Sequence, residues 1–134
     1  MNKRDLNLRK YGISGKRYKE LCGFCEQYPE WKEEIKNFSF VGGQEYSDMP
    51  RNPNHEYDST AENAMKIEKL MSKCNLVEEA AKAVDGDMWE FIIKAVCYNV
   101  PISYLQMQEG MCMSQSVFYD RRRYFFYLLD KRKN

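Results

Sequence analysis

A chain of 134 residues and 16.0 kDa fits one domain with a working core, and is too short for two full domains joined by a linker. Its hydrophobic fraction of 43% and aromatic fraction of 14% exclude a disordered polymer, and no apolar run approaches the roughly eighteen residues that a membrane span needs. The net charge of +1 hides a strong asymmetry: residues 1–20 carry seven Lys or Arg against two acids, residues 121–134 six against one, and residues 21–120 eight against seventeen. Both ends are therefore +5 and the middle is -9, so the termini can face a polyanion while the centre is held away from it. Basic tails can also be no more than soluble ends.

Five cysteines and a start of Met1-Asn-Lys-Arg4 with no apolar segment behind it argue against a secreted disulfide framework, so a cytoplasmic location is expected. Few glycines and prolines and no sustained period-two alternation predict an all-α fold, a small helical bundle.

Residues 1–13 are basic and expected to be loosely held. Ser14 can cap a helix running to about Gln27, and Pro29 starts a short second helix through Trp31 and Ile35. Cys22-Gly-Phe-Cys25 resembles half of a zinc site, but no second CxxC follows and the lone His55 sits in a predicted loop. On a helix Cys22 and Cys25 share the face of Tyr18, Leu21 and Tyr28, which predicts small buried hydrophobes; no metal site and no cofactor are expected. Residues 39–58, with Gly42-Gly43, Pro50, Pro53 and little apolar content, are predicted to be a loop or linker. That divides a basic N-terminal helical arm, residues 1–38, from a helical domain over 59–134.

Ser59 and Glu62 have capping-box spacing and open a helix that can run to Val84, where Asp85-Gly86 supplies the stop. Within it Ile67, Leu70, Cys74, Val77, Ala81 and Val84 repeat at alternating steps of three and four, a seam that either packs on later helices of the same chain or forms a homodimer contact. Asp87 is expected to cap the next helix, 87–98, which is apolar nearly all round and belongs at the centre of the bundle. Pro101 opens a short helix that Gly110 ends, and Ser114 offers its hydroxyl as N-cap of the last helix, 114–132.

Helix, glycine turn and longer cationic helix over 101–132 are the layout of a helix-turn-helix, the last two members of a C-terminal tri-helical unit. Helical spacing predicts Val117, Phe118, Tyr124, Phe125, Leu128 and Leu129 facing the core, with Phe126 off that stripe and Arg121 near it, snorkelling or paired with a carboxylate. The outward set is Ser116, Tyr119, Arg123 and Tyr127, flanked by Gln115 and Arg122. The DNA contacts expected from this are Ser114, Gln115, Ser116, Tyr119, Arg122 and Arg123, with Lys131 and Arg132 on phosphates. A plain helical hairpin ending in cations would share much of this pattern.

The run from Ser103-Tyr-Leu105 through Tyr119-Asp-Arg-Arg-Arg-Tyr-Phe-Phe126, with Lys10-Tyr-Gly-Ile-Ser14 and Gln27-Tyr-Pro-Glu-Trp31 upstream, resembles the small prophage proteins of Gram-positive bacteria grouped with the ArpU and RinA phage transcriptional regulators. The resemblance implies a helix-turn-helix similar to the promoter-reading region of sigma factors, and a role in switching on late or packaging genes. It aligns Tyr119, Arg122 and Arg123 with the family's aromatic and basic positions, whereas Tyr104 stands where family members commonly carry tryptophan.

Catalysis has little to build on. Glu33-Glu34 and Glu78-Glu79 are adjacent pairs that point to different helix faces, and no GxSxG, P-loop or HExxH is present, so no enzyme is expected. The expectation is a phage-derived DNA-binding regulator whose partner is double-stranded DNA, with RNA polymerase or another host protein as a further partner. The alternative is a phage-encoded interaction protein that occupies a host nuclease or polymerase, using the acidic middle as a nucleic-acid mimic. A small DNA-packaging subunit would more often carry the motif at its N-terminus.

Overall fold

The computed structural model describes residues 8–48 and 53–133, with side chains described for residue 8, residues 10–38 and residues 61–133. Among these residues it is all-helical: a 3-10 turn at Arg9–Tyr11, then α1 (Gly15–Glu26), α2 (Tyr28–Asp48), α3 (Pro53–Val84), α4 (Trp89–Cys97), α5 (Ile102–Gln108) and α6 (Gln115–Lys133).

Residues 8–13 are tied down more firmly than their composition suggests, while residues 1–7 of the expected loose segment lie outside the described residues. From residue 8 onward the chain is anchored, because Leu8 and Ile13 are buried and the Leu8 carbonyl accepts from the N–H groups of Tyr11 and Ile13 at 2.9 and 3.2 Å. Gly12, at φ 75°, turns the chain into the cap, and Ser14 then accepts from the Arg17 N–H as expected. Tyr18, Leu21, Cys22 and Cys25 form the buried stripe of α1. Those two cysteines are core hydrophobes, and among the described residues no group of three or more His, Cys, Asp or Glu could hold a metal ion.

The stretch expected as a linker is largely helix: α2 continues to Asp48 and α3 begins at Pro53. Proline suits a first helical turn because its missing N–H is an orphan there anyway, and a glycine inside a helix costs only about 1 kcal/mol, which the packing of α2 on α3 can offset. The Ser59 cap is thus not needed, since Ser59 lies inside α3, and so does His55; the side chains of both lie outside the described residues.

Cys74, Val77, Ala80 and Ala81 are the buried residues of α3, while Ile67, Leu70 and Val84 are half-buried. These small side chains let α6 come close, and α6 answers with Phe118, Phe125, Phe126 and Leu129, each fully buried. The seam thus packs within the chain. α4 contributes Ile92, Ile93, Ala95, Val96 and Cys97 to the same core.

The facing of three side chains on α6 differs from expectation here. Phe126 is fully buried, whereas Val117 and Tyr124 are exposed; the inward stripe is Phe118, Arg122, Phe125, Phe126 and Leu129. The start of α4 also differs: its N-cap is Met88, with no side-chain cap, in place of Asp87, and Asp85 accepts from the N–H groups of Asp87 and Met88, both at 3.0 Å, in the turn before the helix. Arg121 pairs with that same Asp85 at 3.6 Å.

α4 and α5 end alike. Asn99 takes φ 57° while the Val100 N–H reaches back to the Lys94 carbonyl at 3.1 Å, and Gly110 takes φ 72° while the Met111 N–H reaches the Leu105 carbonyl at 2.9 Å. Each is a left-handed residue closing a six-to-one helix end, for which glycine and asparagine are suited. The main packing partners of α6 are α3 and α1, and those of α4 are again α3 and α1. The helix, turn and helix of 102–133 are present in order, but the last helix rests on the long α3 and on α1, which is part of the core and not an appended arm.

Candidate nucleic-acid interface

Ser114 precedes α6 and accepts from the Val117 N–H at 3.3 Å, so its hydroxyl works as the predicted cap. With Gln115 and Ser116 it lies exposed at the helix start. Arg123 is half-buried and donates to Asp120 at 2.7 Å, one helical turn away. Lys131 and Arg132 are exposed at the other end of the helix.

Tyr119 and Arg122, expected on the outward face, are turned inward; they are 8% and 6% exposed. They occupy the start of the buried stripe, and both line a cavity beneath the beginning of α6. The outward set therefore reduces to Ser114, Gln115, Ser116, Arg123, Lys131 and Arg132.

The fold brings together what the sequence holds at opposite ends. Arg17 Nε donates to Asp130 Oδ1 at 2.6 Å, Tyr18 packs edge-on against Phe126 with ring centroids 5.1 Å apart, and Tyr11 meets Tyr127 at 5.2 Å. Lys133 Nζ lies 4.4 Å from the centre of the Phe24 ring. Residues 10–20 and the second half of α6 thereby adjoin, and in them Lys10, Lys16, Lys19, Lys131, Arg132 and Lys133 are all exposed. Glu20 and Glu26 are exposed acids on α1, and Asp130 is engaged by Arg17.

An aromatic strip runs through this basic region. Tyr124 stacks on Tyr127 with centroids 6.1 Å apart and planes 15° from parallel, and Tyr11 continues the strip from the N-terminal turn. Lys10 sits 5.5 Å from the Tyr11 ring centre and Lys131 5.4 Å from that of Tyr127, both within cation–π range. Tyrosine faces interleaved with lysines can stack on bases while the cations hold phosphates. Sequence spacing could not place Tyr11 here, since 116 positions separate it from Tyr127.

Among the described residues no helix is long and apolar enough to cross a membrane. No family model, no curated protein and no solved structure matches this chain.

Proposed function

We propose that this protein is a DNA-binding transcriptional regulator, of the phage-derived kind that its sequence resembles. The observation that carries this reading is the convergence of cationic residues from both ends of the described chain, with a tyrosine strip between them in which Tyr124 is exposed and Tyr11 and Tyr127 are half-buried, beside a final helix that starts with exposed Ser114, Gln115 and Ser116. The polar helix start would approach base edges in the major groove. Lys131, Arg132 and the lysines of α1 would hold phosphates, and Arg123 stands between the two groups.

Fluorescence anisotropy with labelled duplex DNA from beside the protein's own gene, at a series of salt concentrations, tests this. Binding should weaken linearly on a logarithmic salt axis, with a slope of about -0.9 per phosphate contacted. Replacing Lys131 and Arg132 together by glutamate should flatten that slope by about 2 while leaving the circular dichroism spectrum unchanged. Gln115→Ala and Ser116→Ala should narrow the gap between cognate and scrambled duplex. No binding at low salt, or affinity indifferent to the charge reversal, would overturn the reading.

A further inference from the structure

Arg122 stands where an apolar side chain would be expected. It belongs to the stripe that continues through Phe125, Phe126 and Leu129, it is 6% exposed, and its Nε has no hydrogen-bond partner among the described residues. A guanidinium keeps its charge in a protein, and leaving one of its buried N–H donors without an acceptor carries a desolvation cost. The nearby phenol of Tyr18 offers no compensation: burial, reinforced by Cys22, pushes it above the ordinary tyrosine range against the smaller opposing pull of Arg122 itself, so it stays neutral.

The cavity that Arg122 lines measures about 240 Å³ and has no aspartate or glutamate in its wall. What it has is donors. Asn99, Ser103 and Gln115, all exposed, line it together with Tyr119, between the end of α4 and the start of α6. The space is several times the roughly 30 Å³ share of one water and falls below the roughly 300 Å³ at which drug-sized pockets begin.

We propose that this cavity is a binding site for a small molecule carrying an oxyanion, a phosphate or a carboxylate, with the Arg122 guanidinium as its ion-pair partner and Asn99, Ser103 and Gln115 as neutral donors around it. An arginine fork suits oxyanions because it can present parallel N–H donors. The principal group of the site faces inward while the proposed DNA contacts face outward; Gln115 alone belongs to both sets, and Arg122 and Ser103 to this one only.

The test is nuclear magnetic resonance of the full chain labelled with nitrogen-15 and carbon-13, in which the Arg122 Nε–H signal is assigned through its own side-chain carbons. It is followed during titration with inorganic phosphate, with acetate, and with chloride at matched ionic strength. The signal should move saturably with phosphate or acetate, whichever the site takes, and not with chloride. Gln115→Ala, at an exposed position that leaves the core intact, should raise the half-saturation point by about 2- to 12-fold, the worth of one hydrogen bond. Arg122→Met, if it folds, should lose the response. Movement no greater than with chloride, or saturable movement unchanged by both Gln115→Ala and Ser103→Ala, would overturn the proposal.

Discussion

Arg17 on the first helix and Asp130 on the last, 113 residues apart in sequence, are joined by a 2.6 Å hydrogen bond between charged groups. The pair sits at the edge of the core, with the arginine side chain 44% exposed and the aspartate 17%, so water screens it only in part. A double-mutant cycle of Arg17→Ala and Asp130→Ala, read by urea unfolding, should give a coupling of about 0.5–1 kcal/mol, shrinking in high salt. A coupling near zero would mean that the two helices are held by their ring contacts, Tyr18 on Phe126 and Lys133 on Phe24, and not by this pair.

The facing of α6 makes a sharper contrast. Phe126 is fully buried against Tyr18 and Phe125, whereas Tyr124, two residues earlier, is 42% exposed. Phe126→Ala should therefore cost about 3–5 kcal/mol through lost burial and the cavity left behind. Tyr124→Ala should cost less than about 1 kcal/mol. Equal losses, or the reverse order, would restore the facing that simple spacing suggests.

That facing shows where the sequence is legible and where it is not. Capping chemistry is local, so Ser14, Ser114 and Gly110 could be read directly: a hydroxyl three residues before an N–H, or a glycine free to take positive φ, needs no knowledge of the rest of the chain. The burial of Cys22 and Cys25 was equally open to reading, because helical spacing puts them on one face with Tyr18, Leu21 and Tyr28, which are buried too. Phe118, Arg122, Phe125 and Leu129 also repeat at four, three and four, a good buried stripe, but the charge of Arg122 hides it and steers the reading outward. The continuous helices flanking residues 49–52 were masked by Gly42-Gly43 and the prolines, whose local penalties are small beside tertiary packing. The meeting of the two basic ends depends on Arg17 finding Asp130 and Tyr11 finding Tyr127, and no periodicity encodes contacts of that range.

Asp85 governs the turn into α4. Burial by itself would raise its carboxyl, but the N–H groups of Asp87 and Met88 and the Arg121 guanidinium outweigh that and hold it below the ordinary carboxylate value. A depressed folded value means that the stabilisation is present above the unfolded value of about 3.9 and is lost as pH falls through the folded one. Asp85→Ala should cost about 1 kcal/mol at neutral pH, in the range of a lost hydrogen bond to a charged acceptor, and the difference from the parent chain should vanish in strong acid. Urea midpoints at neutral pH and below pH 4 measure both, and a difference that persists undiminished in acid would contradict the assignment.

At the opposite end of the pH scale the decisive group is Tyr28, whose hydroxyl donates to Glu78 from a buried position while Lys32 approaches the same carboxylate at 3.6 Å. Burial first, and then the hydrogen bond and the negative charge of Glu78, push the Tyr28 phenol well above its usual range. The folded chain thus holds this proton more tightly than the unfolded chain does, so the associated stability is intact below about pH 10 and drains away as pH rises further. Tyr18 is shifted in the same direction and adds to the effect. Tyr28→Phe should destabilise the protein at neutral pH by about 1–3 kcal/mol, because the half-buried Glu78 carboxylate loses a donor, and its urea midpoint should fall less steeply above pH 10 than that of the parent. Parallel midpoint curves for the two chains in alkali would show that the phenol of Tyr28 ionises as freely in the folded protein as in water, which its burial against Glu78 forbids.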